Sequence, residues 1–424
     1  MSEIRPLLVA EAANPSWTSV PLVGWSHARA IQAHVGGHLV TQIRNEEAIR
    51  RTGLSDDAFT AIDSEAVAGL MYRIGNVLSG GSNKGWTAKM AASAPSYYYF
   101  EHLVWKRFEE RLRAGEFSLV HRLTPLSPTL PSLLARRCAR SGVPFVVGPL
   151  NGGVPWPRAF NSERRRENEW LSYVREAYKL LPGYRSMRRR SSAIICGSQI
   201  TLRQMPVSAR NRIVHIPENA VDPSRFSSRR DREAGVPLRC VFVGRLVPYK
   251  GCDMVIEAIA PLAREGGAVL TIVGDGPERA RLELMVEERG LGGVVTFVGK
   301  VPHEEVQRHL AESDLLTFPS IREFGGAVLL ESMAVGTPPM AVAYGGPAEI
   351  MTESTSFPIE LGTREEIISR LRETMGQLIE NPSPIDEKSQ RCVDRVERLF
   401  TSRRRRGRPS GFTGGCSARV RSRS

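Results

Sequence analysis

The stretch Ile321-Arg-Glu-Phe-Gly-Gly-Ala-Val-Leu-Leu-Glu331, continuing through Ser-Met-Ala-Val-Gly336 to Thr-Pro-Pro339, decides how this chain is read. Ala327 to Val335 is apolar and unbroken, and Gly336 with the prolines beyond it is a stop signal, so the run predicts a helix. Ahead of it, Asp314-Leu-Leu-Thr-Phe-Pro-Ser320 predicts a buried strand ending in a turn. A strand, a glycine-bearing loop and a helix N-terminus in that order bind anions. Unpaired N–H groups and the positive end of the helix dipole meet a phosphate, and Gly325 and Gly326, with the Ala327 amide behind them, let it approach closely. Glu323 lies in the loop, within reach of hydroxyls beside the phosphate. Glu331 lies further into the helix, where a carboxylate can take both hydroxyls of a ribose, as acidic residues do in dinucleotide sites. A diphosphate between a sugar and a ribose is a sugar nucleotide. Two solvated glutamates at an ordinary helix start are the plainer alternative, and the strand ends nearby decide against it.

Val241-Phe-Val-Gly-Arg-Leu-Val-Pro-Tyr-Lys-Gly251 is a strand, then Gly244 and Arg245, then a loop carrying Lys250. Arginine offers a planar fork to phosphate oxygens and lysine a mobile point charge. Each alone is more often a solvated surface cation; together at the end of one strand they form a diphosphate clamp. Leu270-Thr-Ile-Val-Gly-Asp-Gly-Pro-Glu278 adds a strand whose turn contains Gly274, with Pro277 at the expected first helical position. Val295 to Lys300 and Pro339 to Gly346 supply further strands ending in small residues.

The series GRLVPYKG, VGDGP, FVGKV, FPS, EFGGAVLLESMAVG and YGGPAE resembles the retaining glycosyltransferase family 4, also described as glycosyl transferases group 1. The likeness runs from Cys240 to Glu349 in the family's order and spacing. It implies a GT-B fold, two doubly wound Rossmann-like α/β domains facing across a cleft. It also implies transfer of a sugar from a nucleotide diphosphate sugar to a hydroxyl acceptor, such as a glycan, a lipid-linked acceptor or a polysaccharide precursor, with retention of configuration. By resemblance Arg245 and Lys250 bind the donor diphosphate, Glu331 the ribose and Glu323 the transferred sugar. No Asp-x-Asp triplet is present, so a metal-independent scheme is expected, with no metal ligands and no cofactor beyond the donor itself.

The length of 424 residues suggests two domains, and 41% hydrophobic with 24% charged residues suits an ordinary globular chain. The expected division is 1–222 as an acceptor-side Rossmann-like domain, 223–237 as linker, 238–400 as the nucleotide-sugar donor domain and 401–424 as a basic disordered tail. No apolar run spans a membrane and no signal peptide is evident. The six cysteines are scattered without a CxxC pair, as expected of reduced thiols. A cytoplasmic protein is expected, with the inner face of the membrane as a peripheral alternative.

In the N-terminal half, Pro6–Ala10, His38–Ile43, Phe117–Leu123, Pro144–Gly148 and Ala193–Ser198 are short apolar runs separated by helical segments, as a parallel doubly wound sheet requires. Arg212 to Asp222 resembles the family's segment at the end of this domain. His121, at the expected end of a strand, either touches the substrate sugar as a catalytic residue or is a partly buried structural histidine. Asn151, Gly152 and Gly153, in a turn-rich stretch, either border the acceptor or simply make the turn. The loop Glu11 to Trp25 departs from the family, offering Asn14, Ser16 and Ser19 where many members carry a glycine pair.

Net charge is +13 with pI ≈ 9.8. The tail Ser402 to Ser424 holds eight arginines and no acid, leaving +5 for the rest. No nucleic-acid motif accompanies it. Between Arg158 and Arg190 lie Arg164–Arg166, Arg175, Lys179, Arg185 and Arg188–Arg190, with Trp170, Tyr173, Val174, Ala177, Tyr178 and Leu181 at helical spacing. An amphipathic helix packed on the sheet is the default, and docking on an anionic membrane the alternative. Two other functions share the same features: a sugar-nucleotide epimerase or hydrolase, which needs no acceptor, and a non-catalytic nucleotide-sugar-binding protein.

Overall fold

The computed structural model describes residues 4–17, 19–67, 69, 86–166, 177–222, 226–231 and 233–401. The basic tail and Trp170, Tyr173, Val174 and Arg175 lie outside these residues. Two parallel sheets organise the chain. The first has seven strands, β1 (Pro6–Ala10), β2 (His38–Gln42), β3 (Phe59–Ile62), β4 (Leu119–Thr124), β5 (Phe145–Leu150), β6 (Ala193–Cys196) and β7 (Ile213–His215), in the order β3-β2-β1-β4-β5-β6-β7. The second has six, β8 (Leu238–Val243), β9 (Ala268–Val273), β10 (Val295–Gly299), β11 (Leu315–Phe318), β12 (Pro339–Val342) and β13 (Phe357–Ile359), in the order β10-β9-β8-β11-β12-β13. Both orders reverse after their first strand, so each sheet has a switch point where ligands collect, between β1 and β4 and between β8 and β11. Two Rossmann-like domains result, and the expected fold is present.

The strands predicted from apolar runs are there, and β3, β7 and β13 are additional. Two of those three are three-residue edge strands, too short to give a periodic signal, and β3 begins after a polar turn. The helix Val20–Val35 starts inside the segment expected to be a loop, because Pro21 fits its first turn. The helix Arg279–Glu288 begins two residues beyond Pro277, since the Glu278 amide is drawn to the Leu246 carbonyl at 3.1 Å. Among the described residues the basic region holds the helix Asn161–Arg166, a 3₁₀ turn Ala177–Leu180 and the helix Tyr184–Arg190. Arg188 there is buried rather than solvated; its guanidinium stacks 3.6 Å from the Tyr184 ring centre and donates to the Pro128 carbonyl at 2.7 Å. The five described cysteines are all buried.

The segment between the sheets is built into the second domain. Phe226 packs in that domain's core. Arg230, only 3% exposed, bridges Asp314 at 3.1 Å and Asp386 at 2.7 Å, and the Asp314 side chain is fully buried. A second crossing returns after the helix Ser383–Leu399, where Val221 donates to the Phe400 carbonyl at 2.8 Å and bridges Thr401. A buried ion pair is destabilising when one partner is removed, because the other charge is left behind. Arg230→Met should therefore lower the unfolding free energy by about 3–5 kcal/mol in urea titration. Adding Asp314→Asn should recover part of that loss, and additive losses would show that the pair is not coupled.

Candidate functional site

The residues expected on the donor side converge at the β8/β11 switch point. Gly244 and Arg245 follow β8, with Arg245 exposed, and the turn Pro248–Lys250 folds back toward the loop after β11. Lys250 Nζ donates to Glu323 Oε2, and the ammonium also lies 4.8 Å from the Phe318 ring centre. Burial alone would depress the Lys250 pKa, but Glu323 and Tyr249 outweigh it and the net shift is upward, so the group stays charged. Glu323 Oε1 in turn accepts the Gly326 amide at 3.4 Å. Gly326, in the left-handed region at φ 65°, is the N-cap of the helix Ala327–Val335, whose bounds match the expectation. Gly325 stands before it. Glu331, on this helix, accepts from or shares a proton with His303 Nε2 at 2.9 Å.

Close backbone packing fixes this loop. A Cβ at Gly345 would meet the Glu323 carbonyl at 2.3 Å, and Gly346 donates to that carbonyl at 2.9 Å. Gly274 serves the other side: a Cβ there would come within 1.9 Å of the Gly244 carbonyl. These glycines let neighbouring strand-end loops touch.

On the facing domain, Asn151, Gly152 and Gly153 follow β5 and rest on the helix Gln199–Arg203. Gly152 N donates to Thr201 Oγ1 at 3.2 Å, and Gln204 Nε2 donates to the Gly153 carbonyl at 2.9 Å. The Asn151 amide is 6% exposed, and neither its nitrogen nor its oxygen has a hydrogen-bond partner among the described residues. Such a pair of buried orphan atoms is uncommon in native folds and points to a missing partner.

His121 does not end its strand. It sits in the middle of β4, buried, with Nε2 2.8 Å from the Gly148 carbonyl, which makes Nε2 the protonated nitrogen. Burial lowers its pKa to about 4, against the opposing effect of that hydrogen bond. The strand runs on to Thr124 because β4 pairs with β1 as far as Thr124, and β5 pairs with it from Val120 to Arg122, so His121 is an interior sheet residue. In the first loop, Asn14 is buried and bonded to Asn45 at 3.3 Å, and Ser19 takes φ 64°, a conformation glycine adopts more easily.

Several residues without an assigned role in the sequence join the site. Glu218 and Asn219 reach so close to Gly325 that a Cβ there would lie 2.1 Å and 2.2 Å from their side-chain atoms. Glu349 Oε1 accepts the Gln199 amide at 2.8 Å across the domain boundary, and Oε2 lies 3.7 Å from His215. These groups surround a cavity of ≈ 70 Å³ between the domains. Val154 to Trp156 is gripped from the second domain: Arg322 Nε donates to the Val154 carbonyl at 3.3 Å, Tyr344 OH to Pro155 at 3.0 Å, and Trp156 meets Tyr249 edge-on at 6.1 Å. Glu218, Asn219 and Glu349 fall in stretches already recognisable by resemblance; the partners of Trp156 depend on tertiary contact and leave no sequence signal.

Residues 226–396 match the family described as Glycosyl transferases group 1, and they form a domain of that kind. Among curated relatives, the chain is 28% identical over 256 residues to a 2-deoxystreptamine glucosyltransferase of Streptomyces kanamyceticus, covering 58% of this chain and 63% of the relative. It is 32% identical over 184 residues to a GDP-mannose-dependent alpha-(1-6)-phosphatidylinositol monomannoside mannosyltransferase of Mycolicibacterium smegmatis, covering 40% and 47%. Each match thus spans less than two thirds of the relative's length. The fold is similar to that of a sucrose-phosphate synthase from Thermosynechococcus elongatus, with TM-score 0.66 at 17% identity over 95% of this chain and 96% of that one. It is also similar to Anabaena Alr3699/HepE in complex with UDP, with TM-score 0.62 at 14% identity over 95% and 97%.

A histidine held neutral by burial contributes stability above its unfolded pKa of about 6.5, and that contribution is lost as pH falls toward the folded value. Unfolding free energy should therefore fall between about pH 6.5 and pH 4, with His121 supplying on the order of 3 kcal/mol of the drop. His121→Asn, which keeps a donor for Gly148, should flatten that slope in denaturant titrations at stepped pH. An unchanged slope would assign the acid sensitivity to other groups.

Proposed function

We propose that the protein is a retaining glycosyltransferase that moves a sugar from a nucleotide diphosphate sugar to a hydroxyl acceptor, without a metal ion. The observation that carries this is the Lys250–Glu323 pair, set beside the N-terminus of the helix Ala327–Val335 at the switch point of the second sheet. A cation from the turn after β8, a carboxylate from the loop after β11 and a helix N-terminus beside both suit a diphosphate joined to a sugar. Retention rests on the resemblance to family 4, and the group 1 domain supports transferase chemistry. The acceptor class, whether glycan, lipid-linked or polysaccharide precursor, follows from the same resemblance.

In this scheme the diphosphate lies against Arg245, Lys250 and the amides of Gly325, Gly326 and Ala327. Charge grows on the leaving diphosphate as the glycosidic bond breaks, and preorganised cations and amides stabilise it more in the transition state than in the ground state. They supply positive charge without a metal. Glu323 accepts hydroxyls of the transferred sugar, and its ion pair with Lys250 couples sugar position to phosphate position. Glu331 takes the ribose diol, with His303 holding its other face. Asn151, whose amide has no partner among the described residues, faces the acceptor together with Gly152 and Gly153. Closure of the domains excludes water and so limits hydrolysis of the donor.

The division of labour between the carboxylates is testable by calorimetry with uridine, guanosine and adenosine diphosphates, alongside single-turnover assays with the matching donor sugars. Glu331→Ala should weaken nucleoside diphosphate binding by about 1–3 kcal/mol. Glu323→Ala should leave that affinity nearly intact and lower turnover, whereas Arg245→Ala should damage both. Equal loss of nucleotide affinity in the two glutamate variants refutes the division, and no loss in either removes the proposal. Donor turnover that needs no acceptor would favour an epimerase or hydrolase instead.

A further inference from the structure

Basic and acidic residues are distributed very unevenly over the first domain. Residues 117–162 and 177–217 contain thirteen arginines and lysines and no aspartate or glutamate, and the stretch 163–176 between them holds four arginines and four glutamates. The helices Leu134–Arg140 and Tyr184–Arg190 link β4 to β5 and β6 to the strand before it, and they pack side by side on one face of the sheet. Leu134, Ala135, Cys138 and Met187 turn inward to the core. Arg136 and Arg140 on the first helix, and Arg185, Arg189 and Arg190 on the second, are exposed. Arg210, also exposed, lies in the 3₁₀ segment Val207–Arg212, whose Arg212 donates to the carbonyls of Arg189 at 3.0 Å and Ser191. Among the described residues none of these six exposed guanidiniums meets a carboxylate. Arg50, Arg51 and Arg113 on other helices of the same domain do so.

The same surface exposes large aliphatic side chains. Leu180, in the turn ahead of Tyr184–Arg190, is 86% exposed, and Val207, at the start of the segment against that helix's far end, is 69% exposed. Six positive charges with no carboxylate partner among the described residues would alone suit any polyanion. Added aliphatic side chains suit an interface that is anionic outside and apolar just beneath, and among the described residues of this face no exposed aromatic stands ready to stack on bases. No helix among the described residues is long and apolar enough to cross a membrane, so the contact would be peripheral.

We infer that the face formed by Leu134–Arg140, Tyr184–Arg190 and Val207–Arg212 docks on an anionic lipid bilayer, with Leu180 entering the interfacial layer. Leu180 precedes the first turn of Tyr184–Arg190, at the end of that helix nearest the loops that follow the strands. Gly183 beside it packs against Ser132 and Leu133 of the loop after β4. The cleft rim would thus lie close to the bilayer, where a lipid-linked molecule is within reach. The inference stands whether or not the cleft transfers sugar.

The test is sedimentation of the full chain with vesicles of phosphatidylcholine alone and of phosphatidylcholine mixed with an equal part of phosphatidylglycerol. Binding is expected only to the mixed vesicles and should weaken as salt is raised. The triple variant Arg185→Glu, Arg189→Glu, Arg190→Glu should lose about tenfold or more in partitioning, and Leu180→Ser should lose a smaller share that salt does not reproduce. Because all four residues are exposed, thermal midpoints should stay unchanged and show that folding is intact. A separate variant with Arg403–Arg406 replaced by glutamine controls for the basic tail and should keep most of the binding. Three outcomes overturn the inference: equal sedimentation with both vesicle types, loss in the tail variant but not the triple variant, and binding to RNA or heparin with none to mixed vesicles.

Discussion

The Lys250–Glu323 ion pair is the contact on which the second domain's loops depend. It joins the end of β8 to the loop after β11, the two strands that flank the switch point, and it is largely withdrawn from water. An ion pair in such a place holds only if further hydrogen bonds and packing complete it. The Gly326 amide supplies one such bond, and the glycines at 345 and 346 bring a neighbouring loop onto the Glu323 backbone. Remove the side-chain room at those glycines and the carboxylate moves, and with it the lysine. Electrostatics and steric fit are therefore one constraint here, since the charge pair is placed by backbone contacts that only glycine permits.

That constraint extends to the first domain. Tyr249 and Arg322 are the chain neighbours of Lys250 and Glu323, and both touch the stretch Val154 to Trp156 that follows β5. Phe160, a little further on, is buried in the second domain's core. A segment that belongs to the first half by sequence is thus held by the second, and it follows directly on Asn151 to Gly153. Arg230 and Phe226 do the converse job at the linker, fixing the chain's first crossing to the second domain.

The second domain was legible in the sequence because its chemistry is local. Strand, glycine loop and capped helix follow one another within about 25 residues, and the helix Ala327–Val335 begins and ends where apolar run and glycine indicate. The first domain was legible only in outline. β7 holds three residues, fewer than a periodic pattern needs, and it exists because β6 offers it an edge; β13 is the same case in the second domain. His121 shows the limit of strand-end reasoning: an apolar run marks a strand, but its last residue is set by pairing on both sides. The basic stretch before Arg190 shows another. Arg188 carries the same formal charge as Arg189, yet one is buried over Tyr184 and the other exposed, a difference decided by which side of the helix faces the sheet.

The loop after β4 shows how charge is used where it gains nothing from solvent. Arg122, fully buried, donates to the carbonyls of Leu130 at 2.8 Å and of Pro125, and Arg188 donates to Pro128. Glu101, also buried, accepts the Leu133 amide at 2.6 Å and the hydroxyls of Tyr97 and Ser132. Burial raises the Glu101 pKa, against the pull of those donors and Arg122. Backbone carbonyls in a proline-rich loop have no ladder to join, and an unpaired buried one costs as much as a lost hydrogen bond. Two guanidiniums and a carboxylate satisfy the loop in place of a sheet, and they fix it at the price of desolvating three charges. Pro128 of that loop lies against Gly152, so the rigidity is delivered to the turn beside the cleft. A shape maintained this way cannot relax far, so the turn at Asn151 to Gly153 borders the cleft as a pre-set wall rather than as a loop that reorders.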